Sequence, residues 1–387
     1  MNNFFLFTEN NRGGKVMYDN RNKIIILLLI LALIFSLFTI FISSEEKMSV
    51  SARAAALYEP ETKRFIYTKN ENERLGMAST TKIMTALLAL ETLDPNEEIQ
   101  VDSRAIGIEG SSIYLKPGET MNVIDLIYSV LLQSANDAAA ALAYKISDSI
   151  EAFAELMNEK ARSLGLCDTH FTNPHGLDNK EHYTTAHDLA IIAAEALKNE
   201  KFKEISSTYK KQVESSETVR TLVNHNKMLK MYDGCIGVKT GFTKKSGRCL
   251  VSAAERDNLT MISVTIDAPN DWQDHTKMLD CGFSLYEAKI LAAAGEFSYE
   301  VPILGGMADC VKISNTEEIK RIFEINDSDF ETHIKLSRYF AAPVNKGDIL
   351  GVVIFTKDGK IIASVNLLAE KSVDIIKKKK DFFSIFK

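Results

Sequence analysis

The sequence predicts an α+β fold, in which an antiparallel sheet covered by helices is followed by a small all-β domain. Three observations point to it. Residues 54–70 alternate apolar and polar on both sides of Pro60-Glu61-Thr62-Lys63, a hairpin signature. Residues 236–240, 248–254 and 261–266 are short runs of β-formers separated by turn residues, which read as three consecutive antiparallel strands. From about Ala292 the texture shifts to strand-like runs between glycine and asparagine turns, ending in residues 349–355 and 361–368.

Taken in order, the chain begins with an apolar run over residues 24–42 that carries no charge. Arg12, Lys15, Arg21 and Lys23 precede it, and Glu45, Glu46 and Lys47 come after. The positive-inside rule keeps the N-terminus in the cytoplasm and exports the chain beyond the run. The run nearly matches the roughly 20 residues that span a bilayer, so a cleaved signal peptide and an uncleaved membrane anchor both stay open. Residues 1–16 are polar and unpatterned, and a start at Met17 gives a more ordinary leader. After the hairpin, Ile83, Met84, Leu87, Leu88 and Leu90 recur at helical spacing, predicting a buried helix that opens at Ser79. Beyond Pro95 lies a loop-rich region, then helix over residues 123–132. Gln133-Ser134-Ala135-Asn136 interrupts it before an alanine-dominated helix over 137–146. Asp148-Ser149-Ile150-Glu151 resembles a capping box for a helix running to about Gly165. Further helices are expected over about 185–196 and 272–288, the second closing the sheet region.

Composition narrows the function classes. With 387 residues and a formal net charge of -6, the chain can bury a large core and carries no basic field of the kind nucleic-acid partners require. The five cysteines are dispersed with no C-x-x-C pair, and the seven histidines show no H-x-H or H-E-x-x-H spacing. Neither a disulfide framework nor a catalytic metal is expected, and no cofactor.

Ser79 and Lys82 fall one helical turn apart, close enough for an amine to reach a hydroxyl at a helix mouth. Alone the pattern is weak, since Ser-x-x-Lys also occurs at Ser44, Ser207 and Ser384 and serine is a common helix cap. Ser134-Ala135-Asn136 breaks a helix pair, where side chains can project into a cleft, although Ser-x-Asn recurs at Ser364. Lys239-Thr240-Gly241 ends a strand, and its glycine lets another backbone approach closely; the triplet occurs once.

In this order and on these elements, the three motifs resemble the signature of the penicillin-binding proteins and serine β-lactamases. Residues 54–60, the Ser79 helix, Asn173-Pro174-His175-Gly176-Leu177 and Gly237-Val238-Lys239-Thr240-Gly241-Phe242-Thr243 are similar to the D-alanyl-D-alanine carboxypeptidases of low molecular mass. The similarity runs from about Ser51 to Ala288, and the β-rich remainder with its basic-aromatic end matches that family's second domain. Two departures stand out: Ala135 occupies the place of an aspartate in β-lactamase relatives, and the arginine that some members carry just before the last helix is missing ahead of Trp272.

The resemblance implies the fold of that superfamily. It divides the chain into an export segment (1–46), a catalytic domain (47–290), a small β domain (291–373) and a tail (374–387). The tail's four lysines at 377–380 and its aromatics suit a membrane interface or a solvated end. The resemblance makes Ser79 the acylated nucleophile, Lys82 its base and Ser134 a proton relay. Asn136 would hold the substrate amide, and Lys239, Thr240 and Gly241 the substrate's carboxylate end. Phe242 and Ser79 would supply oxyanion N–H groups, with the peptide lying along the strand as an added strand. The implied substrate is a peptidoglycan stem ending in D-Ala-D-Ala, mimicked by β-lactams, and the enzyme is expected outside the cytoplasmic membrane. A β-lactamase needs a water-activating base; Glu195, in a bare Glu-x-x-x-Asn match, reads instead as a surface helix residue. Endopeptidase or transpeptidase action shares every catalytic residue and stays open.

Overall fold

The computed structural model describes Ile25, residues 48–327 and residues 329–376. The apolar run over 24–42, Ile25 apart, the start at Met17 and the tail from Lys377 lie outside the described residues. Among the described residues no helix is long and apolar enough to cross a membrane.

The hairpin forms as expected from β1 (Ala54–Glu59) and β2 (Arg64–Lys69). Its turn is fixed by the buried Glu59 carboxylate, which accepts the N–H groups of Glu61 and Thr62 at 2.8 and 2.7 Å. The expected helix at Ser79 begins differently. Ala78–Thr81 is a 3-10 turn, and the α-helix α1 starts at Lys82 and runs over Lys82–Thr92. The Thr80 and Thr81 hydroxyls donate back to the carbonyls of Met77 and Ala78 at 2.6 and 2.8 Å, which holds the tighter turn.

The loop-rich region contains a short ribbon, β3 (Glu98–Gln100) with β4 (Thr120–Asn122). Helices α2 (Val123–Leu132) and α3 (Asn136–Ser147) lie on either side of the expected break. Helix α4 (Ile150–Ser163) is capped by Ser149, whose hydroxyl accepts the Ala152 N–H; Asp148 instead closes α3 in a left-handed conformation. Next come α5 (Ala186–Leu197), α6 (Glu200–Ser207), a second ribbon of β5 (Lys210–Glu214) and β6 (Val219–Val223), and the single turn α7 (Met228–Met231). The three expected strands are β7 (Cys235–Thr243), β8 (Gly247–Arg256) and β9 (Leu259–Ile266). They join the hairpin in one antiparallel sheet of order β2-β1-β9-β8-β7, with β7 at an edge. The alanines of α3 are buried among α1, α2 and the sheet, because small side chains let a central helix pack closely on several neighbours.

Helix α8 (Asp271–Leu285) ends three residues earlier than the sequence predicts, and Tyr286 is already extended. From there β10 (Tyr286–Ala292) pairs antiparallel with β13 (Ile319–Glu324), and that ladder overrides the helical spacing. The boundary expected at 290/291 thus falls inside β10. Strands β11 (Ser298–Leu304), β12 (Cys310–Ser314), β14 (Glu331–Leu336), β15 (Phe340–Ala341), β16 (Ile349–Lys357) and β17 (Lys360–Ala369) form a second sheet of order β14-β16-β17-β12-β11-β15. Its core of Val301, Ile313, Val353, Phe355 and Leu367 is separate from the larger apolar cluster of the first region. All five cysteines are free.

Candidate active site

Ser79 sits in the 3-10 turn at the mouth of α1, a helix whose first two turns are wholly buried. Two glycines press other chain segments onto this turn. A Cβ on Gly176, which has φ +86°, would stand 1.9 Å from the Ala78 carbonyl oxygen, and one on Gly241 would stand 3.0 Å from the Ser79 nitrogen. Only a residue without a side chain permits either approach. Ala78 itself has φ +47°, so the residue before the serine is held in a conformation that non-glycine residues rarely adopt.

The Lys82 amine is completely buried and reaches three oxygens: Ser79 Oγ at 3.2 Å, Asn136 Oδ1 at 2.7 Å and the His175 carbonyl at 2.5 Å. The last two accept hydrogen bonds and cannot donate. The Asn136 orientation is fixed because its Nδ2 donates to the Glu109 carbonyl. A neutral Lys82 therefore spends its two N–H groups on Asn136 and His175, and its lone pair is left facing Ser79. Burial, and then the nearby Lys239 charge, push the Lys82 pKa well below its ordinary value, with Asp137 opposing them. The neutral form that can take a proton is the form the site favours.

Ser134 lies in the break between α2 and α3 with φ +59°, and Asn136 opens α3. The backbone N–H of Asn136 donates to the Ser111 carbonyl at 2.7 Å. Buried Asp137 accepts from Ser112 Oγ at 2.6 Å and from the Leu115 N–H at 3.0 Å, which fastens the 111–115 loop against α3. On β7, Lys239 is buried and donates to the Thr240 carbonyl at 3.0 Å; burial brings its pKa down to about 7.

A cavity of about 320 Å³ opens over these groups, with Ser79, Ser134, Thr240, Gly241 and Phe242 on its wall. The structure thus brings together every sequence-predicted site residue: five face the cavity, and Lys82, Asn136 and Lys239 are buried beside them. Several contributors escaped the sequence. His175 and Glu109 act through backbone carbonyls, which leave no mark in side-chain pattern. His225, Arg248, Asp271 and Trp272 also line the cavity from three separate segments, with no shared spacing to find them by. Glu195, by contrast, pairs with Lys198 at 2.7 Å and Lys160 at 3.6 Å on α5, and does not line the cavity. A buried hydroxyl–amine pair with a second cation and an open edge strand is equipped for acyl transfer to serine.

Comparison with known proteins agrees. A family model described as D-alanyl-D-alanine carboxypeptidase matches residues 41–270, and one described as the C-terminal domain of penicillin-binding protein 5 matches residues 286–374. The chain is 35% identical over 352 residues to the D-alanyl-D-alanine carboxypeptidase DacF of Bacillus subtilis, covering 88% of this chain and 90% of DacF. The solved structure of penicillin-binding protein 5 from Haemophilus influenzae superposes with a TM-score of 0.63 at 28% identity, covering 84% of this chain and 98% of that one. A mutant of the Streptomyces K15 DD-transpeptidase superposes with a TM-score of 0.59 at 32% identity, covering 62% of this chain and all of that one, 100%.

Proposed function

The chain belongs to the D-alanyl-D-alanine carboxypeptidase family, and we infer from that premise and from the site that Ser79 is the residue acylated when this enzyme removes the terminal D-alanine of a peptidoglycan stem peptide. Ser79 Oγ attacks the carbonyl of the penultimate D-alanine and gives its proton to neutral Lys82. The Ser79 and Phe242 N–H groups receive the oxyanion, each worth about 3–4 kcal/mol in comparable acyl transfers. Ser134 passes a proton to the departing amino group of D-alanine. Water then attacks the ester and frees the enzyme. The second N–H of Asn136 Nδ2, beyond the one engaged by Glu109, is available to the substrate amide. Edge strand β7 offers the peptide a ladder partner, with Lys239 and Thr240 toward its carboxylate end. β-Lactams carry the same reactive amide and carboxylate and acylate the same oxygen.

The observation that carries this reading is the Lys82 amine, whose other two neighbours can only accept and whose lone pair is left to Ser79. Intact-mass measurement after penicillin exposure tests it. One adduct is expected on the parent chain and none on Ser79→Ala, and an adduct on the variant would overturn the assignment. The likeness to a DD-transpeptidase keeps amine acceptors in view as a second reading. Exchange of the released D-alanine for a labelled D-amino acid separates them, since only an amine acceptor yields labelled peptide.

We place the enzyme outside the cytoplasmic membrane, where its substrate lies, tethered through residues 24–42 and in part through the tail from Lys377. Support for this is the apolar run with its flanking charges, and the basic-aromatic composition of the tail. In a chain lacking residues 1–46, removing residues 377–387 is expected to lower partition onto anionic vesicles; unchanged partition would remove the tail from the account.

A further inference from the structure

The cavity wall holds one cationic side chain to which the acylation and hydrolysis steps give no role. Arg248 lies on β8 directly opposite Phe242 of β7, so the two side chains leave the same sheet face, and Thr240, two residues before Phe242, shares that face. Thr240, Phe242 and Arg248 all line the cavity. The guanidinium is held from its far side. Nη2 donates to both oxygens of Asp271, at 2.9 Å to Oδ2 and 3.0 Å to Oδ1, and the group lies 5.7 Å from the centre of the Trp272 ring. The Asp271 side chain is 4% exposed and that of Arg248 is 44% exposed. The pair is therefore anchored at the acid and open at the base. Among the described residues Nη1 and Nε have no partner, so one edge of the fork is tied and the rest faces the cavity.

We propose that Arg248 selects substrates bearing a free C-terminal carboxylate, and that Asp271 is the residue that positions it. The proposal rests on the assignment of Ser79 as the acylated residue. A guanidinium suits this task better than Lys239 can manage alone. Lys239 is half-neutral near pH 7, whereas arginine stays charged at any working pH and meets a carboxylate with two parallel N–H donors.

The test compares kcat/KM for an acyl-D-Ala-D-Ala peptide with that for the same peptide capped as its C-terminal amide. The parent is expected to prefer the free acid, and Arg248→Gln to lose roughly 10- to 100-fold of that preference through KM on the acid. Arg248→Lys is expected to lose less than Arg248→Gln. Asp271→Asn separates positioning from simple charge. Removing the acid makes the site more positive, which by charge alone would raise the preference, whereas loss of positioning lowers it. Penicillin adduct formation on Ser79, read by intact mass, shows in each variant that the acylating site is intact. An unchanged preference in Arg248→Gln, or an equal fall on acid and amide, overturns the proposal. A parent chain without any adduct would instead overturn the Ser79 assignment and leave the two failures distinguishable.

Discussion

The two halves of this molecule bury different chemistry. Among the described residues, every buried polar or charged side chain except Asn315 lies before β10. The second region closes its sheet over Val301, Ile313, Val353, Phe355 and Leu367. Burying polar groups costs stability unless each finds a partner, and burying a lysine costs more. The first region accepts that cost at Lys82 and Lys239, whose displaced pKa values serve proton transfer; the second carries only the apolar burial that holds a sheet together. The contrast teaches where substitutions will act on rate and where they will act on folding.

The largest effect belongs to Lys82. With no other base beside Ser79 Oγ, Lys82→Ala is expected to slow acylation by penicillin on the order of 10⁴-fold, measured as the growth of adduct mass with time. A loss under tenfold would mean that another group takes the serine proton. The matching substitution in the second region is Phe355→Ala. Phe355 is fully buried between Phe297 and Phe330, whose rings meet it edge-on at 6.0 and 5.9 Å. Its removal is expected to cost about 3–5 kcal/mol in denaturant unfolding while the folded enzyme keeps its kcat/KM. A fall in kcat/KM in the fully folded variant would show that the β region shapes the site.

Lys239 sharpens the contrast because rate and stability move in opposite directions. Its folded pKa of about 7 lies below the ordinary 10.5. Between those values the unfolded chain binds a proton that the folded chain does not, so this residue's contribution to stability rises with pH across that window and is least favourable at and below about pH 7. Lys239→Met is therefore expected to raise stability near pH 6 by about 1–4 kcal/mol, with the gain fading toward pH 10, read from denaturant midpoints at both values. In the parent, kcat/KM is expected to fall as pH rises through about 7, where the free enzyme loses the ammonium that faces the carboxylate end. Lys239→Arg, which stays charged, removes that alkaline fall. A Met variant less stable near pH 6 than near pH 10, relative to the parent, would reverse the assigned cause.

The sequence made most of the first region legible, since period, β-rich runs and turn residues agree along α1, α2, α3 and β7 to β9. The short ribbons escaped because their strands offer almost nothing to bury: in β5 and β6 only Val213 and Leu222 are buried. The 3-10 turn at Ser79 escaped because it depends on two threonine hydroxyls and on Gly176 from a distant loop. The end of α8 was misplaced because Tyr-Glu-Ala-Lys-Ile-Leu-Ala fits helix and strand alike until β13 pairs with it. At the site, Ser79, Lys82, Ser134, Asn136 and Lys239 are marked by triplet motifs. Arg248 and Asp271, 23 positions apart, meet only through the β8–β9–α8 turn of the chain.

The smallest expected effect lies where the two regions meet. Arg64 pairs with Glu324 at 2.9 Å with both side chains about half exposed, and its guanidinium stands 5.2 Å from the Tyr286 ring. Lys320 reaches Glu61 at 3.1 Å and the Asn258 carbonyl at 2.7 Å. These are exposed or half-exposed polar links between two separate apolar cores, and water and salt screen such pairs. A double-mutant cycle on Arg64→Ala and Glu324→Ala is expected to give a coupling of about 0.2–1 kcal/mol, shrinking further in high salt. The two regions then respond to substitution nearly independently, as the separation of rate effects from folding effects requires. A coupling of several kcal/mol, insensitive to salt, would mean that the cores unfold as one body, and Phe355→Ala would then reach the catalytic region after all.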